Sequence, residues 1–88
     1  MAERRAVIAS KVGLHARPAA VFVKAVQQAG TPVTIAKGDD PGVDAASILN
    51  VLTLNAACGD EVVLRADGDG AEQALDELVA LLVSDLDA

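Results

Sequence analysis

Two kinds of hydrophobic pattern divide this chain. In four short stretches, apolar and polar residues alternate or β-branched residues cluster, which is typical of half-buried strands. In two longer stretches, apolar residues recur at steps of three and four, as on one face of a helix, and a short third stretch opens with a good N-cap, Ser47, followed by mostly aliphatic residues. Turn-forming residues separate the stretches. The predicted strands are residues 3–9, 33–37, 43–45 and 61–66, and the predicted helices are residues 16–29, 47–54 and 71 to about 86.

The apolar positions inside these elements predict the core. The second helix carries more large aliphatic side chains than a short helix on a sheet can bury, so we expect Val51 and Leu54 inside and Ile48, Leu49 and Leu52 partly exposed. Asp69, followed by Glu72, resembles a capping box at the start of the third helix. The remaining predicted core residues are Ala19, Phe22, Val23, Val26, Ala29, Val33, Ile35, Val62, Leu64, Ala66, Ala71, Ala74, Leu75, Leu78, Leu82 and Leu86.

The order of the elements, β-α-β-β-α-β-α, predicts the fold class. A chain of 88 residues buries roughly 60–65% of its unfolded surface, which suits one domain, residues 1–88, with two layers. Helices grouped on one side of an antiparallel sheet give a two-layer α+β domain.

Composition narrows the setting of this domain. One cysteine excludes an internal disulfide and fits a reducing compartment. No apolar run approaches the roughly 18 residues of a membrane span, and the apolar run after the first five residues is too short for a signal peptide. We therefore expect a cytoplasmic protein with no direct membrane insertion.

Charge is unevenly distributed along the chain. The net charge of −6 argues against nucleic-acid binding. Residues 1–37 hold six basic side chains and one acidic one, whereas residues 60–88 hold nine acidic and one basic. Two interpretations stay open: an ordinary solvated surface, or steering of acidic partners toward the basic end.

The stretch Gly13–Ala20 carries the candidate chemistry. It contains the only histidine, His15, where a predicted strand gives way to a predicted helix. Gly13 allows a turn, and Pro18 falls in the first helical turn, where a missing N–H costs little. Free N–H groups at a helix start favour an anion, and Arg17 can donate two hydrogen bonds to it. A nucleophilic imidazole in this setting suggests a histidine that carries a phosphoryl group.

The run Gly-Leu-His-Ala-Arg-Pro-Ala at residues 13–19 resembles the active-site motif of the HPr family, the histidine-containing phosphocarriers of the bacterial phosphoenolpyruvate:sugar phosphotransferase system. The resemblance implies an open-faced sandwich whose strands are ordered 1-4-2-3, with three helices on one face. It implies that His15 accepts a phosphoryl group on Nδ1 from phospho-enzyme I and passes it to enzyme IIA domains. Arg17 would contact the phosphoryl group, and the Ala16 and Arg17 amides would add donors. No cofactor is implied.

The resemblance also implies a docking surface and a regulatory site. Exposed aliphatic side chains beside a functional site commonly mark a partner surface. Ser47 is a good helix N-cap, and its counterpart in many family members is phosphorylated by a regulatory kinase. A carrier passed between partners is expected to be a monomer. The expected docking residues are Ala20, Lys24, Ile48, Leu49 and Leu52.

Other functions remain to be weighed. A paralogous carrier of a nitrogen-related regulatory relay shares the histidine motif, and interaction modules with an unused site also exist. An independent hydrolase lacks a second acid, base or metal set. Cys58 has no accompanying ligand or base, residues 67–70 lack the glutamate that closes a calcium loop because position 78 is Leu, and Gly13 lacks P-loop spacing.

Overall fold

The computed structural model describes residues 2–9, 13–14, 16–38, 42–54 and 56–84. Within them the elements follow the predicted order. The elements are β1 (Ala2–Val7), α1 (Ala16–Ala29), β2 (Val33–Lys37), β3 (Val43–Asp44), α2 (Ile48–Thr53), β4 (Glu61–Ala66) and α3 (Ala71–Leu82).

The four strands form one antiparallel sheet in the order β1-β4-β2-β3. β4 lies in the middle, with Ala66 opposite both Ala2 of β1 and Val33 of β2. The helices pack against one face, where alternate strand residues such as Ile35 and Leu64 are fully buried. The α+β fold class and the strand order 1-4-2-3 are therefore confirmed.

The core lies between this sheet face and the three helices, as the apolar pattern predicts. Phe22, the only aromatic residue, is fully buried in it and packs among aliphatic side chains. Of the predicted core residues, Ala29 and Leu54 are only half-buried, and Leu86 lies outside the described residues.

The other sheet face holds a small apolar centre that the pattern does not predict. Ala36 and Val63 lie opposite each other on β2 and β4, and both are buried. Two ion pairs lie on the same face. Arg65 donates to Glu3 at 2.8 Å, and Arg5 donates to Glu61 at 2.9 Å. These pairs link β1 to β4.

Three elements, β1, β3 and α3, end earlier than predicted, each because a tertiary hydrogen bond or a turn intervenes. The start of β1 and both ends of α2 differ from the prediction by one residue. β1 ends at Val7 and not at Ala9, whose N–H donates to the Leu82 carbonyl at the end of α3 (3.1 Å). β3 ends at Asp44, whose carboxylate accepts from the Ala46 N–H in a turn. α3 ends at Leu82 and not near residue 86, since the Ser84 N–H and hydroxyl both donate to the Leu81 carbonyl.

The predicted capping box at α3 is also wrong. The N-cap is Gly70, in a left-handed conformation (φ 79°), and no side chain caps it. Glu72 instead lies 3.8 Å from Arg4, which also donates to Asp76 at 3.0 Å and to the Glu3 carbonyl at 2.8 Å. Arg4 therefore ties the edge strand of the sheet to α3.

Candidate functional site

His15 itself lies outside the described residues. In the sequence it stands between Leu14 and Ala16, the first residue of α1. Leu14 is fully buried, and its N–H donates to the Ala56 carbonyl at 2.8 Å. Gly13 has a φ of 70°, and its Cα faces Ala56 and Ala57 with no room for a β-carbon. The two residues that lead into His15 are thus held against the segment that follows α2.

That receiving segment, residues 56–60, is a tight turn fixed at several points. The Asp60 N–H donates to the Ala57 carbonyl at 2.9 Å, and Gly59 has the positive φ (91°) that a type II turn needs at its third residue. The Asp60 carboxylate in return accepts from the Ala57 N–H at 2.9 Å and lies 3.2 Å from the Lys37 amine. These contacts lower the pKa of Asp60, the Ala57 amide contributing most and Lys37 next.

α1 presents an exposed cation at its start. Arg17 is its second residue and is exposed, while Pro18 is buried and lies in the first turn of the helix, as predicted. The first turn of α1 contains no acidic residue. Arg4, Arg5, Lys37 and Arg65 each have a carboxylate within 3.2 Å.

Among the described residues, Arg17 and Lys24 are the two basic side chains that have no carboxylate partner. They lie seven residues apart, on one helix face. Ala20 and Val21 lie between them on that face, and all four residues are exposed. The exposure of Val21 (38%) was not among the predictions.

α1 and α2 lie side by side in opposite directions. Near the end of α1, Gln27 donates to the carbonyl of Ala46, which precedes α2, at 3.0 Å. At the other end, Leu14 precedes α1 and is bonded to Ala56, which follows α2. The residues that lead into His15 therefore lie next to the end of α2.

α2 divides its aliphatic side chains between the core and the solvent. Val51 is fully buried, whereas Leu49 is 71% exposed and Ile48 41% exposed. Leu52 is half-buried and packs against the core, as expected for a partly exposed residue, and Leu54 is likewise half-buried, less than predicted.

Ser47 caps α2 as predicted. Its hydroxyl accepts from the Asn50 N–H at 3.4 Å, and its backbone is extended, as an N-cap requires. This contact accounts for the residue structurally, and its phosphorylation stays a prediction.

Cys58 is a free, exposed thiol in the turn 57–60, with its sulfur 3.9 Å from the Ala9 carbonyl. In the described part of the chain, no three His, Cys, Asp or Glu side chains are grouped so as to hold a metal ion. Nor does any helix of those residues have the length and apolar character needed to cross a membrane.

Comparison with known sequences connects this site to a family. Residues 2–84 match the family described as PTS HPr component phosphorylation site. A phosphocarrier protein HPr of Streptomyces coelicolor is 52% identical over 87 residues, which are 99% of this chain and 94% of that protein. A phosphocarrier protein NPr of Shewanella violacea is 34% identical over 85 residues, 97% of this chain and 92% of that protein.

Solved structures agree with these sequence matches. A crystal structure of HPr-C-His from Thermoanaerobacter tengcongensis is 36% identical, with a TM-score of 0.90 over 100% of this chain and 98% of that one. An HPr dimer from the same organism is 38% identical, with a TM-score of 0.68 over 92% of each chain. Fold and sequence together define a small phosphocarrier protein rather than an enzyme. The chain belongs to the HPr family of the phosphotransferase system.

Proposed function

We propose that this protein accepts a phosphoryl group on Nδ1 of His15 from phospho-enzyme I and passes it to enzyme IIA domains for sugar uptake. The observation that supports this most is Arg17, an exposed guanidinium at the start of α1, two residues after His15, without a carboxylate partner among the described residues. A cation that no described carboxylate neutralises is available to an incoming anion.

The proposed reaction is an in-line displacement at phosphorus. The imidazole nitrogen forms the new P–N bond while the bond from phosphorus to the donor atom of enzyme I breaks, and that atom keeps the electron pair. Phosphoryl transfer requires mainly positioning and charge stabilisation from the protein. In this proposal Arg17 contacts the phosphoryl oxygens, and the Ala16 and Arg17 N–H groups add donors, because amides at a helix start have no intrahelical acceptor.

The proposed partner surface comprises Ala20 and Lys24 of α1 with Ile48, Leu49 and Leu52 of α2. Leu49 supports it most, since this large aliphatic residue is 71% exposed. On α1, Arg17 and Lys24 lie on either side of Ala20 and add positive charge that no described carboxylate neutralises. A partner with an apolar patch ringed by carboxylates would match this surface.

A nitrogen-related relay is the alternative pathway. The NPr relative of Shewanella violacea supports it, although the HPr relative of Streptomyces coelicolor is more similar. The two pathways differ in the enzyme I that donates the phosphoryl group, so a comparison of donors distinguishes them.

The test is incubation with enzyme I, Mg²⁺ and labelled phosphoenolpyruvate. We expect acid-labile, alkali-stable label that is absent from His15→Ala, and a loss of transfer rate in Arg17→Ala. Lys24→Ala is the comparison: it removes the other exposed cation of α1, about two helical turns further along, and because Lys24 belongs to the proposed partner surface it should weaken binding of enzyme I and leave the maximal transfer rate unchanged. Label retained in His15→Ala would refute the assignment, and labelling by a nitrogen-type enzyme I alone would favour the alternative.

We also propose that the carrier acts as a monomer in the cytoplasm. The family passes its phosphoryl group between successive proteins, and short-lived contacts suit a monomer with one exposed surface. Because one similar HPr structure is a dimer, sedimentation at several concentrations is the direct test.

A further inference from the structure

Asp60 is the most highly connected side chain in the segment that receives residues 13–14. Its carboxylate accepts from the Ala57 N–H at 2.9 Å and pairs with the Lys37 amine at 3.2 Å. Its backbone N–H donates to the Ala57 carbonyl, and its own carbonyl accepts from the N–H of Ile8, the residue that follows β1, each at 2.9 Å. One residue thus closes the turn 57–60 from both sides and fastens it to the sheet.

The turn that Asp60 closes is the surface against which Gly13 and Leu14 lie. The Ala56 carbonyl accepts the Leu14 N–H, and the Cα of Ala57 lies where a Gly13 side chain would be. The amide that the Asp60 carboxylate holds belongs to the same Ala57. A shift of that amide therefore moves the surface that fixes the last two residues before His15.

We propose that Asp60 is a positioning residue for His15, acting through the Ala57 amide and the Ala56–Leu14 hydrogen bond. The inference rests on the proposed function of His15. It adds to the site of His15 a residue that follows α2 in the sequence and directly precedes β4. Asp60 does not touch the phosphoryl group in this proposal. It keeps the backbone of residues 56–57 in the conformation against which Gly13 and Leu14 pack.

Two substitutions separate the geometry of the carboxylate from its charge. Asp60→Asn keeps an oxygen at the same reach from Ala57 and removes the charge, whereas Asp60→Glu keeps the charge and moves the oxygens by one methylene. Positioning predicts a maximal single-turnover rate constant within about threefold of the parent for Asp60→Asn and about tenfold or more below it for Asp60→Glu. The enzyme I concentration that gives half of the maximal rate should change little in either variant. Asp69→Asn is the control, since Asp69 lies beyond the opposite end of β4.

The assay is single-turnover labelling by enzyme I and phosphoenolpyruvate, together with amide hydrogen exchange of Leu14 and the thermal midpoint of each variant. Faster exchange at Leu14 in Asp60→Glu, at a temperature where it is folded, is the expected local signature. Equal transfer rates in all variants would overturn the inference. A transfer rate that falls in Asp60→Asn but not in Asp60→Glu would also overturn it, because the charge of Asp60 and not its geometry would then be the cause. Failure of the parent chain to label at His15 would refute the proposed function, whereas the hydrogen-exchange result tests the positioning contact independently.

Discussion

Gly13 lies against the backbone of Ala56 so closely that no side chain fits between them. A β-carbon on Gly13 would overlap the Ala56 carbonyl oxygen and lie 2.8 Å from the Cα of Ala57. The φ of Gly13, 70°, is also one that other residues adopt only at a cost. Conformation and space therefore both require glycine at this point, two residues before His15.

Gly13→Ala is expected to destabilise the fold through both effects. The left-handed conformation costs about 1–2 kcal/mol for a residue with a β-carbon, and displacing packed backbone adds about 1–3 kcal/mol. We expect the free energy of unfolding in urea to fall by about 2–5 kcal/mol. If His15 is the phosphoryl acceptor, the rate of labelling should fall in the fraction that remains folded.

Gly30→Ala is the matched control for this prediction. Gly30 has almost the same φ, 71°, but a β-carbon there would have no atom within 4 Å. This variant should lose only the conformational contribution, about 1–2 kcal/mol. Equal losses in the two variants would show that the contact with Ala56 does not matter for stability.

The regular elements of this fold could be predicted from the sequence where local signals are strong. α1 begins at Ala16 and ends at Ala29 as predicted, because its apolar period is unbroken and Gly30 with Pro32 ends it. The end of β1 could not be predicted, because it depends on a contact with the end of α3. The N–H of Ala9 bonds to the carbonyl of Leu82, and no local pattern of residues encodes that contact.

The features of the candidate site likewise divide into those that local sequence predicts and those that depend on contacts between distant residues. The exposure of Leu49 follows from the excess of aliphatic residues in a short helix, which is a local property of the sequence. The contact of Gly13 with Ala56 and the role of Asp60 in closing the turn depend on residues far apart in the chain. The one local signal for the role of Asp60 was its place directly after Gly59. That pair predicts a turn but not which residues the turn contacts.

Leu49→Glu is expected to weaken binding to enzyme I with little change in stability. The side chain is 71% exposed, so its removal opens no cavity, and the free energy of unfolding should change by no more than about 0.5 kcal/mol. A carboxylate in an apolar docking surface would lose contact area and repel an acidic partner. Titration calorimetry with enzyme I and urea unfolding measure the two effects separately.

Val83→Glu provides the comparison for Leu49→Glu. Val83 is 52% exposed but follows α3, outside the proposed partner surface. The Val83→Glu variant should bind enzyme I with the affinity of the parent protein. Equal weakening by the two substitutions would indicate a general charge effect, and a large fall in stability for Leu49→Glu would show that Leu49 belongs to the core.

Ser47→Ala is expected to lower the free energy of unfolding by about 0.5 kcal/mol, at the low end of the range for loss of an N-cap. The hydrogen bond from the Asn50 N–H is long, 3.4 Å, which is why a small effect is expected. Ser47→Asp retains an acceptor and places negative charge at the helix start, so it should match or exceed the parent in stability. Thermal unfolding of both variants tests this prediction. A Ser47→Ala variant as stable as the parent would contradict the capping role.

Acid should destabilise the protein through Glu3 and Asp60. The Arg65 guanidinium lowers the pKa of Glu3 by a hydrogen bond and by its charge, and the Ala57 amide lowers that of Asp60, with Lys37 adding to it. Because both pKa values are lower in the folded chain than in the unfolded one, the unfolded chain binds protons first as pH falls. The stabilisation is therefore present above the unfolded pKa values of about 4 and is lost as pH falls through the folded ones.

We therefore expect the thermal midpoint to drop between about pH 5 and pH 2, and to drop less in Glu3→Gln and Asp60→Asn. Each variant should lie below the parent near pH 6 and approach it at the acid end, where the parent carboxyl is itself protonated. Glu77→Gln is the control, since it removes a carboxylate for which the described residues provide no ion pair. Its curve should parallel that of the parent, and an equally flattened curve for Glu77→Gln would show that overall charge, and not these two contacts, sets the acid sensitivity.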